Sequence, residues 1–203
     1  MIVNFGCGAN TGPRESGYIN IDGSLTLQLA KLPVPATVFG GRADFVRAIR
    51  ANRIRYGTAG RLKFAPGSID GFYASHVLEH LPRRQCENLL ARVLVWLKPS
   101  GAIRIVLPDL KRYAALYVTG KTDASQFVAS THLAEEDLSW WGGIFGHSQH
   151  RWMYDAKSFT QVLARIGFQD VREHSFGEGR LPALSHLDIP SRQADSFYVE
   201  GSK

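Results

Sequence analysis

The sequence predicts a single α/β domain in which helices flank a mostly parallel β-sheet. Three observations lead to this prediction. The 203 residues, 44% of them hydrophobic and 21% charged, have the composition of an ordinary globular domain. Short apolar runs of strand length alternate with segments of helical periodicity, most clearly between residues 69 and 107. The first strand candidates also stop at glycine or aspartate, residues that suit the ligand-binding carboxyl edge of such a sheet.

Two strand candidates open the chain. Residues 2–5 have a buried-strand pattern that ends at the turn Gly6-Cys7-Gly8, and residues 18–21 have a second one that ends at Asp22. The connection between them is only about ten residues long, so it has room for little more than one helical turn. We therefore expect a reduced N-terminal region.

A short helix and a short strand follow. Residues 42–52 have apolar side chains at helical spacing, which predicts a helix with one buried face formed by Phe45, Val46 and Ile49. Residues 54–56 then predict a brief strand.

The stretch from residue 68 to residue 107 predicts a strand, a helix and another strand. A turn at residue 68 leads into an apolar strand that ends before Ser75 and His76. Pro82 suits the first turn of a helix, which we expect to reach Leu97 and to be stopped by residues 98–101. The side chains of this helix that we expect to face inward are Leu89, Leu90, Val93, Leu94 and Leu97. Residues 102–107 form the next strand, closed by Pro108-Asp109.

The C-terminal part of the chain predicts an insertion followed by the end of the sheet. Residues 111–152 combine helical segments with a polar and aromatic cluster, and we expect them to lie over the acceptor side of the sheet edge. Asp155 is a good N-cap for a helix that ends at Gly167. Strands at 169–176 and 196–200 complete a sheet of seven. Because no repeat or linker interrupts the sequence, we expect residues 1–203 to form one domain.

The charge distribution narrows the expected partners. The 24 Lys and Arg against 18 Asp and Glu give a formal net charge of +6. Several arginines concentrate in one segment opposed only by Asp44: Arg42, Arg47, Arg50, Arg53, Arg55 and Arg61. Since no aromatic residues are interleaved with them, an anionic small molecule or a solvated surface explains the segment better than nucleic acid does.

Cysteine content and hydropathy bear on location. Cys7 and Cys86 imply no disulfide framework, which makes a reducing cytoplasm the expected compartment. No apolar run is long enough to span a membrane, and the first residues lack the basic leader of a secretory signal. We therefore expect a soluble cytoplasmic protein.

Four motifs occur in order along the chain. They are Asn4-Phe5-Gly6-Cys7-Gly8, Gly17-Tyr18-Ile19-Asn20-Ile21-Asp22, Phe72-Tyr73-Ala74-Ser75-His76-Val77-Leu78-Glu79-His80-Leu81 and Leu97-Lys98-Pro99-Ser100-Gly101. Their order and spacing resemble those of S-adenosylmethionine-dependent methyltransferases with a Rossmann-like fold, in particular the short bacterial group that is similar to methyltransferase type 11 and is often associated with surface-polysaccharide biosynthesis. The resemblance implies a seven-stranded, mostly parallel sheet with an antiparallel last strand, and S-adenosylmethionine as cofactor.

The resemblance also implies roles for the first motifs. Gly6 and Gly8 would lie beneath the methionine part of the cofactor, and Asp22 would hold the ribose. Ser75 and His76 would border the sulfonium, and the cofactor-binding set is completed by Asn4, Cys7, Thr58 and Ala59. From the residues themselves, a glycine turn lets backbone approach a ligand closely, and an aspartate that ends the next strand can accept hydrogen bonds from ribose hydroxyls. A tight turn with a capping aspartate is the alternative.

Two departures from the family pattern affect the cofactor site. Thr58 stands where the family commonly has an acidic residue that binds adenine, so adenine recognition is expected to be weaker or different. Asn10 stands at the position of a third glycine in many relatives. The cover of the cofactor is therefore expected to be loose or supplied by a partner.

His76, Glu79 and His80 form a His-x-x-Glu-His group with three interpretations. Histidine titrates near neutrality, so this group could remove a proton from an acceptor. Alternatively it could bind a divalent metal, because methyltransferases of small-RNA ends and of quinone precursors carry a similar Glu-x-x-Glu-His. The third and favoured interpretation is that Glu79 and His80 cap helices and line the cofactor floor, and we expect no metal.

A second group of candidates lies on the insertion. His147 and His150 fall in a segment expected to overhang the carboxyl edge of the sheet, and Asp109 would point into the same crevice. The alternative is that the histidines satisfy loop carbonyls and Asp109 caps the next helix. The candidate catalytic residues are thus His76, His80, His147, His150 and Asp109.

The expected function is methyl transfer from S-adenosylmethionine to a hydroxyl of a sugar, a glycolipid or another small metabolite. Two alternatives remain: a nonenzymatic accessory subunit that retains the fold, and an RNA methyltransferase. We expect a small-molecule or glycan acceptor rather than nucleic acid, and a homodimer or a partner subunit.

Overall fold

The computed structural model describes residues 1–12, 17–24, 30, 35, 37, 43–51, 53–132 and 149–203. Its strands are β1 (Ile2–Phe5), β2 (Tyr18–Asp22), β3 (Ile54–Tyr56), β4 (Ile69–Ser75), β5 (Leu97–Pro108), β6 (Gln169–His174) and β7 (Ser196–Ser202). They form one seven-stranded sheet in the order β3-β2-β1-β4-β5-β7-β6. The predicted Rossmann-like sheet is confirmed.

The strand directions define where ligands can bind. β1 pairs in parallel with both β2 and β4, while β2 pairs in parallel with β3 and β4 with β5. β7 is antiparallel to both of its neighbours, β5 and β6, as predicted for the last strand. The chain thus proceeds outward from β1 to β3 and then returns to β4, on the other side of β1. Such a reversal opens a crevice at the carboxyl ends of the two central strands.

Helices cover the sheet. They are α1 (Ala43–Arg50), α2 (Arg83–Trp96), α3 (Leu110–Val118), α4 (Ala124–Thr131), α5 (Ala156–Ile166) and α6 (Pro182–Ser185), with short 3₁₀ helices at Leu78–His80 and Pro190–Arg192. Asp155 caps α5, since its side chain accepts a hydrogen bond from the Ser158 backbone N–H, and Gly167 ends that helix with φ 114°. Both predicted boundaries of α5 are confirmed. None of the helices in the described part of the chain is long and apolar enough to cross a bilayer.

The core follows the two faces of the sheet. Alternate side chains of the central strands pack with α2 and α5 on one face: Val3, Phe5, Phe72, Ala74, Ile103 and Ile105. The intervening residues face the other side, where they pack against α6 and the segment after it: Ile2, Tyr73, Ala102 and Val106. The central strands are therefore buried on both faces, as expected for parallel strands.

The end of α2 is within one residue of its predicted position at about Leu97, but the predicted start of β5 at Ala102 is wrong. The helix ends at Trp96, and Leu97 already has extended backbone, with φ −62° and ψ 140°, at the start of β5. Residues 98–101, predicted to stop the helix, belong to this strand. Leu97 pairs with Ile69 and Ala102 with Gly71, so the register shifts between these pairs. The irregular register accommodates Pro99, because a bulge tolerates a residue that cannot donate to the ladder.

The insertion is described in part. α3 begins one residue before the predicted 111–152 segment and α4 lies within it. Residues 133–148, including His147 and most of the aromatic cluster, lie outside the described residues. The strand predicted at 169–176 ends at His174. The helix predicted at 42–52 spans Ala43–Arg50.

Candidate functional site

The glycine turn after β1 leaves the sheet at its carboxyl edge. Gly6 and Gly8 have φ values of 67° and 51°, a left-handed conformation that favours glycine. A Cβ added to Gly6 would lie 2.1 Å from Cγ2 of Val77, so this position packs directly against the segment that follows β4. A Cβ on Gly8 would meet no described atom within 4 Å. The backbone at Gly8 therefore faces open space, whereas Gly6 packs closely against Val77.

A cavity of about 410 Å³ lies at this turn, between the carboxyl ends of β1 and β4. Its lining includes five predicted cofactor residues: Asn4, Gly6, Cys7, Gly8 and Ser75. Its volume falls within the range of small-molecule sites. The structure thus brings these five residues together at the switch point of the sheet.

The opposite wall of the cavity comes from a segment that the sequence analysis missed, residues 188–192. Arg192 donates from Nη1 to both the backbone oxygen and Oγ of Ser75, each at 2.9 Å. The guanidinium places a permanent positive charge beside the cavity. No local sequence signal marks Arg192, because its partner is far away along the chain.

A buried ion-pair network holds this segment in place. Arg104 on β5 is fully buried and bonds to Asp188 at 2.5 and 3.0 Å and to Glu200 at 2.8 Å. The side chain of Asn10 donates to the backbone oxygen of Leu187 at 2.7 Å. The wall that carries Arg192 is therefore anchored to the sheet and to the glycine turn.

Asp22 lies at the end of β2 beside the glycine turn. Its carboxylate is buried, with Oδ2 accepting from the Gly8 N–H at 3.1 Å and Oδ1 from the Ser24 N–H at 2.8 Å. Each carboxylate oxygen can accept a further hydrogen bond. Asp22 is not among the residues that line the cavity, but it lies beside Gly8, which is, and its carboxylate has the acceptors that the diol of a ribose needs.

Thr58 and Ala59 follow β3, one strand further from the cavity. The Gly57 N–H donates to the backbone oxygen of Asp22 at 3.1 Å, which places Thr58 beside the end of β2. Ala59 is buried, and its backbone oxygen accepts from Arg92. These two residues share the edge of the sheet with Asp22 but do not line the 410 Å³ cavity.

Cys7 lines the cavity but is not a nucleophile. Burial, together with the negative charge of Asp22, raises the pKa of its thiol far above neutrality. The thiol therefore stays protonated and acts as an apolar wall.

A second polar cluster, the Glu79 cluster, forms after β4 around the side chain of Glu79, which is 1% exposed. Within the described residues neither carboxylate oxygen accepts a hydrogen bond. Oε1 lies 3.8 Å from Nδ1 of His76, 4.0 Å from Nε2 of His80 and 3.9 Å from Nε2 of His150. Burial raises the pKa of Glu79 to about 8. Three of the predicted catalytic histidines thus surround one buried carboxyl group.

His76 has an unusual backbone. Its φ of 54° is left-handed, a conformation that non-glycine residues adopt at a cost and that clusters at functional sites. Nε2 lies 2.7 Å from Oγ of Ser196. Burial, with a further contribution from the nearby Arg192, lowers the pKa of His76 to about 3. The imidazole is therefore neutral at pH 7.

His150 reaches the cluster from the end of the insertion. The Arg151 N–H donates to the backbone oxygen of Glu79 at 2.7 Å, which holds this segment against the 3₁₀ helix at Leu78–His80. The His150 ring lies 5.0 Å from the ring of His80 and 5.1 Å from that of His132. Burial and the neighbouring His80 lower the pKa of His150 to about 4.

Asp109 caps a helix. Its side chain accepts from the Lys111 N–H at 3.0 Å, at the start of α3. This contact corresponds to the alternative given for Asp109 in the sequence analysis. Its catalytic role stays a prediction, as does that of His147.

Comparison with known proteins gives one family. Residues 30–173 match the model of a family described as a methyltransferase domain. A search of the curated proteins found no match.

Solved structures share the fold at low identity. A SAM-dependent methyltransferase from Archaeoglobus fulgidus is 15% identical with a TM-score of 0.58, over 100% of this chain and 85% of that one. A putative methyltransferase from Haloferax volcanii, in complex with the activator Trm112, is 12% identical with a TM-score of 0.53, over 99% of this chain and 80% of that one. A Haemonchus contortus phosphoethanolamine N-methyltransferase is 12% identical with a TM-score of 0.52 over 100% of this chain. The chain spans 61% of a matched Bordetella parapertussis protein and 48% of the Haemonchus enzyme.

Proposed function

Since the chain belongs to the methyltransferase domain family, we propose that it transfers the methyl group of S-adenosylmethionine to a hydroxyl of a sugar, a glycolipid or another small metabolite. The methyltransferase class predicted from the motifs is confirmed by the family. The observation that carries the proposal is the 410 Å³ cavity at the carboxyl ends of β1 and β4, lined by Asn4, Gly6, Cys7, Gly8 and Ser75.

The residues at the crevice suit the separate parts of S-adenosylmethionine. Asp22, buried beside Gly8, supplies acceptors for the ribose hydroxyls. Arg192, held against Ser75, supplies a positive charge for the carboxylate of the methionine part. When bound, the cofactor supplies an electrophilic methyl group. The protein's main contribution is then to orient the reactants and exclude water.

Proton removal from the acceptor falls to the Glu79 cluster in this proposal. Ser75 lines the cavity and the next residue, His76, faces Glu79, so the cluster adjoins the cofactor crevice. His76 and His150 are neutral at pH 7 and have lone pairs that can accept a proton, although their low pKa values make them weak bases. His80 shares the cluster, and Asp109 and His147 complete the set of candidates.

The proposed setting follows from the sequence resemblance. We place the reaction in the cytoplasm and in surface-polysaccharide biosynthesis, with a glycan or small-molecule acceptor. The 111–152 insertion, which delivers His150 to the Glu79 cluster, would form one wall of the acceptor site. Steeply salt-dependent RNA binding would instead favour the RNA methyltransferase.

A partner subunit is the alternative that a specific observation favours. The Haloferax relative was solved with an activator protein, and this chain has Thr58 and Asn10 where cofactor residues are common in the family. In that case the chain would act within a complex, or would support another catalytic subunit.

Calorimetry with S-adenosylmethionine and its demethylated product tests the cofactor site. We expect the wild-type protein to bind both, and Asp22→Asn to weaken binding by about tenfold or more because one charged hydrogen bond is worth about 1.5–3 kcal/mol. Asp170→Asn is the matched control, since Asp170 is exposed, pairs with Arg180 and lies on the edge strand β6, outside the lining of the cavity. Absence of binding by the wild-type protein, alone and with a partner, would contradict the proposal.

A further inference from the structure

The Glu79 cluster contains a buried carboxylate without a hydrogen-bond partner in the described part of the chain. Leaving such a group unsatisfied is destabilising, so native proteins rarely do so. Both oxygens of Glu79 are in this state although the side chain is 1% exposed. A group outside the described residues is therefore expected to satisfy them.

The surrounding donor atoms have the chemistry of metal ligands. Glu79, His80 and His150 each offer one atom, and these three atoms all lie within 4.8 Å of one another. Around a tetrahedral ion with bonds of about 2.1 Å, ligand atoms are about 3.4 Å apart. The 3.9 and 4.0 Å separations between Glu79 Oε1 and the two histidines need only a small contraction to reach that geometry.

The outer partners of the histidines orient them for metal binding. Nδ1 of His80 lies 3.3 Å from the backbone oxygen of Gln149, an acceptor, so Nδ1 carries the proton and Nε2 is directed at Glu79. Nδ1 of His150 lies 3.1 Å from the sulfur of Met153, with Nε2 again directed at Glu79. A histidine that ligates a metal typically donates its other ring nitrogen to such an outer partner.

His76 has the same orientation in the opposite tautomer. The hydroxyl of Ser196 donates to Asp195 at 3.0 Å, so Nε2 of His76 is the donor to Ser196 at 2.7 Å. This leaves the Nδ1 lone pair directed at Glu79, 3.8 Å away. His76 therefore faces the same carboxylate oxygen, but it does not belong to the three ligand atoms that lie within 4.8 Å of one another.

We propose that Glu79, His80 and His150 bind a divalent transition-metal ion, with a fourth position open to water. Two imidazoles and one carboxylate suit zinc, iron or nickel better than magnesium or calcium, which prefer oxygen ligands. The ion would also compensate the charge of the buried carboxylate. This departs from the expectation of a metal-free protein, and the group has His150 in the place of the His76 of the sequence motif. With His80 and His150 as ligands, His76 is the histidine of the Glu79 cluster that keeps a lone pair to accept a proton.

The proposal is tested without cofactor or acceptor, so its outcome is independent of the proposed function. Purified protein stripped with a chelator is titrated with Co²⁺, whose visible absorption reports nitrogen and oxygen coordination, and Zn²⁺ is then added in competition. We expect one Co²⁺ per chain, displaced by Zn²⁺. Removal of a direct ligand in His150→Ala or Glu79→Gln should weaken binding at least about 100-fold, since even outer-shell changes cost up to that factor.

Two further measurements keep the test decisive. His186→Ala removes an exposed histidine outside the cluster and should bind Co²⁺ as the wild type does. Circular dichroism checks that each variant is folded, and Glu79→Gln preserves shape if His150→Ala does not fold. The proposal is overturned if the wild-type protein binds no Co²⁺, or if folded Glu79→Gln and His150→Ala bind it as tightly as His186→Ala.

Discussion

Substitution of alanine for Gly6 provides a quantitative test of how the glycine turn packs. Two costs combine at this position. The φ of 67° is unfavourable for alanine by about 1–2 kcal/mol. The new Cβ would also lie 2.1 Å from Cγ2 of Val77, and overpacking of this kind costs about 1–3 kcal/mol. We therefore expect Gly6→Ala to lower the free energy of unfolding by about 2–5 kcal/mol.

Gly67 separates the two costs. It has a similar φ of 63°, but a Cβ there would meet nothing within 4 Å in the described structure. Gly67→Ala should therefore cost only the backbone term, about 1–2 kcal/mol. The double variant Gly6→Ala, Val77→Ala should be more stable than the sum of its single changes, because truncation of Val77 removes the clash.

Urea denaturation followed by circular dichroism measures these values for all four variants. The reasoning is refuted if Gly6→Ala is as stable as Gly67→Ala, or if Val77→Ala gives no favourable coupling. If Gly6→Ala is as stable as the wild type but does not bind S-adenosylmethionine, the glycine turn is needed for contact with the cofactor rather than for packing.

Three other perturbations have expected outcomes. Arg104→Met removes the buried cation that pairs with Asp188 and Glu200, so it should lower the free energy of unfolding by about 3–5 kcal/mol in urea denaturation. Arg180→Met removes one partner of an exposed ion pair and should change that free energy by less than about 1 kcal/mol. Arg192→Ala should weaken binding of S-adenosylmethionine in calorimetry more than Arg180→Ala does, and equal effects would argue against a carboxylate contact. In metal-free protein, burial raises the pKa of Glu79 from 4.5 to about 8. Between these pH values the Glu79 carboxyl group is ionised in the unfolded state but protonated in the folded state. The folded state therefore loses stability as the pH rises through this range. The free energy of unfolding of the wild type relative to Glu79→Gln should fall by up to about 1.4 kcal/mol per pH unit over this range, and a pH-independent difference would contradict the assigned pKa.

Elements whose signals are local were predictable from the sequence. The N-cap at Asp155 and the C-cap at Gly167 depend on contacts within one helical turn, and the structure has both. The turn at Gly6 and Gly8 likewise needs only glycine's freedom to adopt positive φ. These signals, with the alternation of strands and helices, were sufficient to predict the sheet.

The boundary at Leu97 shows where local signals fail. Residues 98–101 have the composition of a helix stop followed by a turn, yet they continue a strand. What decides their conformation is the pairing of Leu97 with Ile69 on β4, together with the register shift that follows it. No window of sequence around Leu97 contains that partner.

The fold class, the methyltransferase family and the glycine turn with Asp22 can be read from the amino-acid sequence, because these depend on periodicity and on motifs of neighbouring residues. The contacts of Arg192 with Ser75 and of His150 with Glu79 become visible only in the folded chain. Both contacts join residues far apart in the chain, and they depend on how the last connections fold back over the carboxyl edge of the sheet. Packing and buried ion pairs, such as that of Arg104 with Asp188, set this arrangement, and the sequence motifs do not encode them.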